Sequence, residues 1–291
     1  MTEVADVSFA LPRGRRPADP LPGFRIALVA TLFWTGLIVV LPLAALIMRP
    51  WQEGIGAMTA ALQDSRMFAA LRISFVSAFI AALIDVPLGV ILAWALVRAR
   101  LPGRRIIDAL IDLPFAIPTA VTGITLATLY GPQGWLGAPL AHLGISIAYT
   151  ATGIVVALMF VGLPFIVRSV EPVLRDLPPE FEEAAGLLGA RPRQVVTRVV
   201  LPALLPATVT GFGLAFARGI GEYGSVIFIA GNQPFHSEIA PLLIVVRLQE
   251  FDYPGATSIA FILLVASSLC LMGIAWLRRR VARGMVAGAA P

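Results

Sequence analysis

Six apolar runs divide the chain, and each is long enough for a helix to cross a lipid bilayer. They fall near residues 26–48, 69–97, 106–130, 148–167, 203–230 and 256–277. The hydrocarbon layer is about 30 Å thick and takes about 20 helical residues. Of the 291 residues, 58% are apolar and only 13% are charged, whereas a soluble domain is about a quarter charged. The expected fold class is an all-α membrane protein with six transmembrane helices. The first run is long and has no small-residue cleavage site after it, so it reads as a span and not a cleaved signal.

The residue types that are missing exclude whole chemistries. All 22 basic residues are arginine. Without lysine there is no phosphate-binding loop of the GxxxxGK[ST] kind and no pyridoxal Schiff base. Cys270 stands alone, so an internal disulfide or a CxxC pair is impossible. His142 and His236 are too far apart in the chain for HExxH zinc chemistry.

The net charge of +5 does not point to nucleic acid, because the arginines stand in short clusters at the ends of the apolar runs. With the N-terminus inside, seventeen arginines lie on the cytoplasmic side, including Arg13, Arg15, Arg16, Arg98, Arg100, Arg104 and Arg105. Arg49, Arg66 and Arg247 lie on the other side, and Arg72 and Arg218 lie inside or at the edge of spans. This asymmetry places both termini in the cytoplasm. Residues 1–25 are then a cytoplasmic tail, 26–277 the transmembrane domain and 278–291 a second cytoplasmic tail. Membrane lipid is the medium.

Two spans are rich in helix-disturbing residues: the third carries LPFAIPTAVTG (113–123) and the fifth GFGLAFARGIGEYG (211–224). Such residues serve close helix packing, or else border a pathway whose water meets the freed backbone groups.

The longest cytoplasmic connection covers about 169–202. Pro178 and Pro179 precede Glu180, Glu182 and Glu183, which suit the positive end of a helix dipole. Gly189 and then Pro192 read as a helix stop. The spacing predicts a short helix over 179–188, with Phe181, Ala184, Ala185 and Leu188 on one face. That face suits a groove on another protein. It equally suits rest on its own protein or on headgroups.

Glu183-Ala184-Ala185, three residues, Gly189, nine residues, then Val199-Val200-Leu201-Pro202 matches EAA-x3-G-x9-I-x-LP, with valine for isoleucine at 199. This resembles the signature loop of membrane subunits of binding-protein-dependent ABC importers. FARGIGEYGSVIFIAGN (216–232), EIAPLLIVVRLQEFDYPGA (238–256) and DLPFAIPTAVTGITLATLYG (112–131) are similar to the T subunits of sulfate/thiosulfate permeases. Molybdate and tungstate permeases share the loop and a GE-aromatic-G turn, but FDYPGA resembles the sulfate branch more closely.

The resemblance implies a type I importer (MetI-like) permease fold in the inner membrane. It implies two ABC ATPase subunits docked on the loops of two membrane subunits, the second a homologous W-type chain. It also implies a periplasmic sulfate/thiosulfate-binding protein. No catalytic residue and no cofactor would belong to this chain, because ATP and Mg would sit on the partner subunits. Glu183, Ala184 and Ala185 would form the docking helix, Gly189 would turn the chain, and Leu201-Pro202 would start the next helix.

Arg218 and Glu222 are four apart in the fifth run, with Tyr223 next in the chain. Ionisable groups in a membrane are costly and face the bundle interior. The three would border the anion pathway, or Arg218 and Glu222 would form a self-neutralising structural pair. Asp108, with Asp112 four residues on, is expected to pair with the basic loop 98–105. Asp85 has no assigned role. His236, Glu238, Arg247, Glu250 and Asp252 cluster in the last outer loop, which contacts the binding protein or is simply solvated. An ion-coupled secondary transporter would show internal repeats, and an intramembrane enzyme would need a paired nucleophile and base; neither pattern is present.

Overall fold

The computed structural model describes residues 23–52, 55–99 and 101–288. Most of the expected N-terminal tail, with Arg13, Arg15 and Arg16, lies outside them, as does Arg100. The described residues contain helices and no strand. Five of these helices are long and apolar enough to cross a membrane: Phe24–Arg49, Ser65–Arg98, Ala151–Asp176, Pro192–Ile220 and Tyr253–Arg280.

Two compact units divide between Met48 and Arg49. The first is built on α1 (Phe24–Arg49). Within α1, Gly36–Val40 forms a π turn, in which the Leu41 N–H donates to the Gly36 carbonyl. Pro42 explains the widened turn, because it has no N–H to continue the ordinary ladder.

The second unit contains α2 (Ile55–Gln63) and α3 (Ser65–Arg98). The Asp64 side chain caps α3 by accepting from the Arg66 N–H at 2.8 Å. Three short helices follow: α4 (Arg104–Ile111), α5 (Leu113–Ala116) and α6 (Thr119–Tyr130). After α7 (Gly137–His142) come α8 (Ala151–Asp176), α9 (Glu180–Leu187) and α10 (Pro192–Ile220). The chain closes with α11 (Val226–Ile229), α12 (Ala240–Gln249) and α13 (Tyr253–Gly288).

The core is the mutual packing of α3, α8 and α10, centred on Ala78, Ala81, Ile154, Ala157, Ile166, Leu204 and Phe216. In lipid no hydrophobic force drives helices together, so close van der Waals contact must do it, and small residues permit that contact. A Cβ on Gly89 would stand 2.6 Å from Ile166 Cγ2, and one on Gly211 would stand 2.9 Å from Ile166 Cα. Phe79 meets Phe212 edge-on at 5.6 Å, and Phe212 stacks on Phe216 at 6.1 Å. Asp85 is buried in this core, and a Cβ on Gly162 would stand 2.6 Å from its Oδ2.

Two expectations need correction. The third run is not one helix over 106–130. Pro114 and Pro118 remove backbone donors, and Ile117, which precedes Pro118, is extended with φ −89° and ψ 132°. The remaining piece, α6, has 12 residues and spans about 18 Å, too short to cross alone. The fifth run does not continue to residue 230. Helix α10 stops at Ile220, Gly221 caps it, and a tight turn leads to α11.

Candidate coupling helix and membrane turn

The segment between α8 and α10 folds as its residues dictate. Glu180, Glu182 and Glu183 occupy the first turn of α9 after Pro179. The helix ends in a Schellman motif: Ala190 N–H donates to Ala185 O at 3.0 Å and Gly189 N–H to Gly186 O at 2.9 Å. Gly189 takes φ +84°, in the left-handed region, with open space around the position a Cβ would occupy. Phe181 and Ala184 are exposed, and Leu187 and Leu188 are 90% and 89% exposed. An apolar knob and two leucines therefore stand bare on a three-turn segment, and the Glu183 carboxylate beside them is exposed as well.

The same helix is held to the bundle by Arg98, the last residue of α3. Its Nε donates to Glu182 Oε1 at 3.1 Å and its Nη2 to the Leu177 carbonyl at 2.7 Å. A push on α9 thus reaches α3 directly. Beyond α9, Pro192 opens α10, and Gln194 Oε1 accepts from the Arg191 N–H at 2.8 Å. Leu201 and Pro202 do not begin this helix, which is already continuous from Pro192. They follow a π turn over Val196–Val200 in which the Leu201 N–H donates to Val196 O. It is the Leu41-Pro42 arrangement again, for the same missing proline donor.

Among the described residues, Asp108 does not pair with the basic loop 98–105, and neither does Asp112. Both meet Arg168 of α8, at 2.8 Å and 2.6 Å. Arg168 also meets Glu171 at 2.6 Å, and Glu171 meets Arg175 at 2.5 Å. One guanidinium therefore fastens the broken α4–α5 segment to α8. Sequence reading counted Arg168 only as a topology signal, since its two aspartates lie far away in the chain.

The two glycine- and proline-rich motifs meet each other. The Glu222 carboxylate pairs with Arg218 and accepts from Ser225, from the backbone N–H at 2.9 Å and the hydroxyl at 2.8 Å. Glu222 is 2% exposed. The turn it shapes lies against α6: a Cβ on Gly224 would stand 2.2 Å from Thr119 Oγ1, and one on Gly123 2.3 Å from Ser225 O. Tyr223 is half-buried against the core. The geometry is that of a self-neutralised helix end.

In the loop before α12, Glu238 is buried and grips Arg66 with both oxygens, at 2.8 Å and 2.7 Å. Arg247 meets Asp64 at 2.9 Å, Asp252 at 3.4 Å and Glu250 at 3.7 Å. These charges fasten α12 and the loop before it to the start of α3. His236 is exposed, its ring 3.1 Å from the Pro234 carbonyl. Among the described residues, no group of three His, Cys, Asp or Glu is placed to hold a metal ion.

Residues 85–286 match the family described as the inner membrane component of binding-protein-dependent transport systems. The chain belongs to that family. This permease component is 47% identical over 266 residues to the sulfate transport system permease protein CysT of Escherichia coli K12, covering 91% of this chain and 96% of the relative. It is 44% identical to CysT of Synechocystis, over 84% of this chain and 85% of that one. A bacterial ABC transporter that imports alginate has a chain of the same fold, with TM-score 0.74 at 17% identity, covering 88% of this permease component and 94% of that chain. The same fold appears in the MetNI methionine ABC transporter, with TM-score 0.51 at 24% identity, covering 75% and 93%.

Proposed function

We propose that this chain is the membrane subunit of an ATP-driven importer that carries sulfate or thiosulfate across the inner membrane. The observation that carries the reading is the bare apolar face of α9, on a family member whose relatives at 44–47% identity are sulfate permeases. The broken α4–α6 segment completes a sixth crossing, and both termini lie in the cytoplasm. A second, W-type membrane subunit pairs with this one, two ATPase subunits grip α9 and its counterpart, and a periplasmic binding protein delivers the anion. ATP and Mg belong to the ATPase subunits. Their closure moves α9, and Arg98 and α10 pass the motion into the bundle, switching the pathway between inward- and outward-facing by rigid-body rotation.

In this mechanism Glu183, Ala184, Ala185 and Gly189 form and end the docking helix. Leu201 and Pro202 set the π turn through which α10 leaves it. Arg218, Glu222 and Tyr223 shape the turn at the outer end of α10 beside the pathway. The test is uptake into proteoliposomes holding the whole transporter, its binding protein outside and ATP within. Labelled sulfate should accumulate and unlabelled thiosulfate should compete. Accumulation of molybdate but not sulfate would assign the chain to the molybdate and tungstate branch.

A further inference from the structure

Arg218 is neutralised by Glu222, Arg168 by its carboxylates, Arg66 by Glu238 and Arg247 by Asp64. Arg72 is different. It lies seven residues into α3, about 10 Å along the helix from its start. It makes no hydrogen bond or ion pair with any described residue. Its side chain lines a recess of about 660 Å³ between α3 and α8, in which it is the single charged residue.

Three further features of the recess favour an anion. Ala151 and Thr152, the first two residues of α8, line it, and Thr150 before them makes no side-chain cap. First-turn N–H groups have no intrahelical acceptor and carry the positive end of a 26-residue helix dipole. Ser77 of α3 lines it too, is only 5% exposed, and its hydroxyl has no partner among the described residues. Phe235 closes one side from a loop that Arg66–Glu238 and the Ala240 N–H to Ser74 Oγ bond fasten to α3. Arg72 is exposed on the surface of this chain, and a guanidinium within a span is costly without a partner, so the recess favours a negative occupant.

We infer that the α3–α8 recess is a binding site for a tetrahedral oxyanion, with Arg72 as its cation and Ser77 and the first turn of α8 as its hydrogen-bond donors. On the function proposed above, on which this rests, the site receives the anion as the binding protein releases it. Ala78, six residues further along α3, packs on Gly219 beside Arg218. Arg72 therefore stands about 9 Å nearer the start of α3 than the level at which Gly219 and the Arg218–Glu222 turn meet it. A single guanidinium with no opposing carboxylate holds the anion loosely enough to pass it on.

The test uses the complete transporter in proteoliposomes, with saturating sulfate-loaded binding protein. Arg72→Gln should lower sulfate uptake at least tenfold while both ATPase subunits still co-purify, and Arg72→Lys should restore a third or more. Ser77→Ala, which removes one hydroxyl, should lower uptake threefold or more and decides the matter if Arg72→Gln fails to assemble. Uptake within twofold of wild type for the assembled Arg72→Gln, or for Ser77→Ala where Arg72→Gln does not assemble, overturns the site. Undiminished uptake with phospholipid lost from Arg72→Gln in native mass spectrometry also overturns it, by giving Arg72 to a lipid phosphate. If wild type takes up no sulfate, the proposed function fails instead; an Arg72-dependent uptake of another oxyanion would then still support the recess.

Discussion

Glu222 accepts two hydrogen bonds from Ser225, at 2.9 Å from its N–H and 2.8 Å from its hydroxyl, while pairing with Arg218. This one carboxylate ends α10, shapes the turn against α6 and cancels a cation in the last turn of α10. Its removal should therefore be structural before it is functional. Glu222→Ala leaves three donors unanswered and should cost about 3 kcal/mol, read as a lower melting temperature of the purified transporter. Arg218→Gln combined with Glu222→Gln should be less destabilised than Glu222→Ala, because no half-buried charge is left without its partner. Arg218→Gln in protein that assembles should keep sulfate flux within about threefold of wild type, since Arg218 is already neutralised.

Arg168 joins α8 to Asp108 and Asp112 across the break in the third apolar run. Arg168→Gln should leave membrane insertion and ATPase co-purification intact, because α9 is held by Arg98 instead. The expected result is uncoupling, with ATP hydrolysis continuing and sulfate uptake falling about tenfold. Parallel assays on one proteoliposome preparation check this.

Gly189 has room for a side chain but the wrong backbone angle for one, at φ +84°. Gly189→Leu should strain the end of α9 by about 1–2 kcal/mol and bring a bulky group to the docking face. Co-purification of the ATPase subunits and sulfate uptake should both fall sharply. Gly189→Asn, which tolerates left-handed angles, should keep most of both. Pull-down through a tag on this chain measures the first.

Gly123 and Gly224 are required for contact and not for backbone angle. A Cβ on Gly123 would stand 2.3 Å from Ser225 O, and backbone cannot yield as a flexible side chain does. Gly123→Ala should destabilise by about 2–3 kcal/mol, whereas Gly186→Ala, with nothing within 4 Å, should not lower stability. Detergent melting curves of the two variants separate these cases.

These residues also mark what could be read without coordinates. The apolar runs, the start and stop of α9 and the i,i+4 pairing of Arg218 with Glu222 are local in the chain, so spacing reveals them. The break in the third apolar run is hidden because hydropathy counts apolar side chains and not backbone donors, although Pro114 and Pro118 are in view. The fifth run looked unbroken through Glu222 because the apolar residues after Gly224 continue its hydropathy. Arg168 was missed because its carboxylates are brought to it only when α4 and α5 fold back on α8. The unpaired state of Arg72 is invisible for the converse reason, since among the described residues Arg66 and Arg247 take Glu238, Asp64, Glu250 and Asp252.

The central claim is that α9 is held from the cytoplasm by a separate ATPase. The direct measurement places a cysteine on its bare face, Phe181→Cys in a Cys270→Ser background, and crosslinks the assembled transporter in membranes. The account predicts an adduct between this chain and the ATPase subunit whose yield changes with ATP. An adduct with the periplasmic binding protein, or labelling of that cysteine by an impermeant reagent from outside the cell, would contradict it.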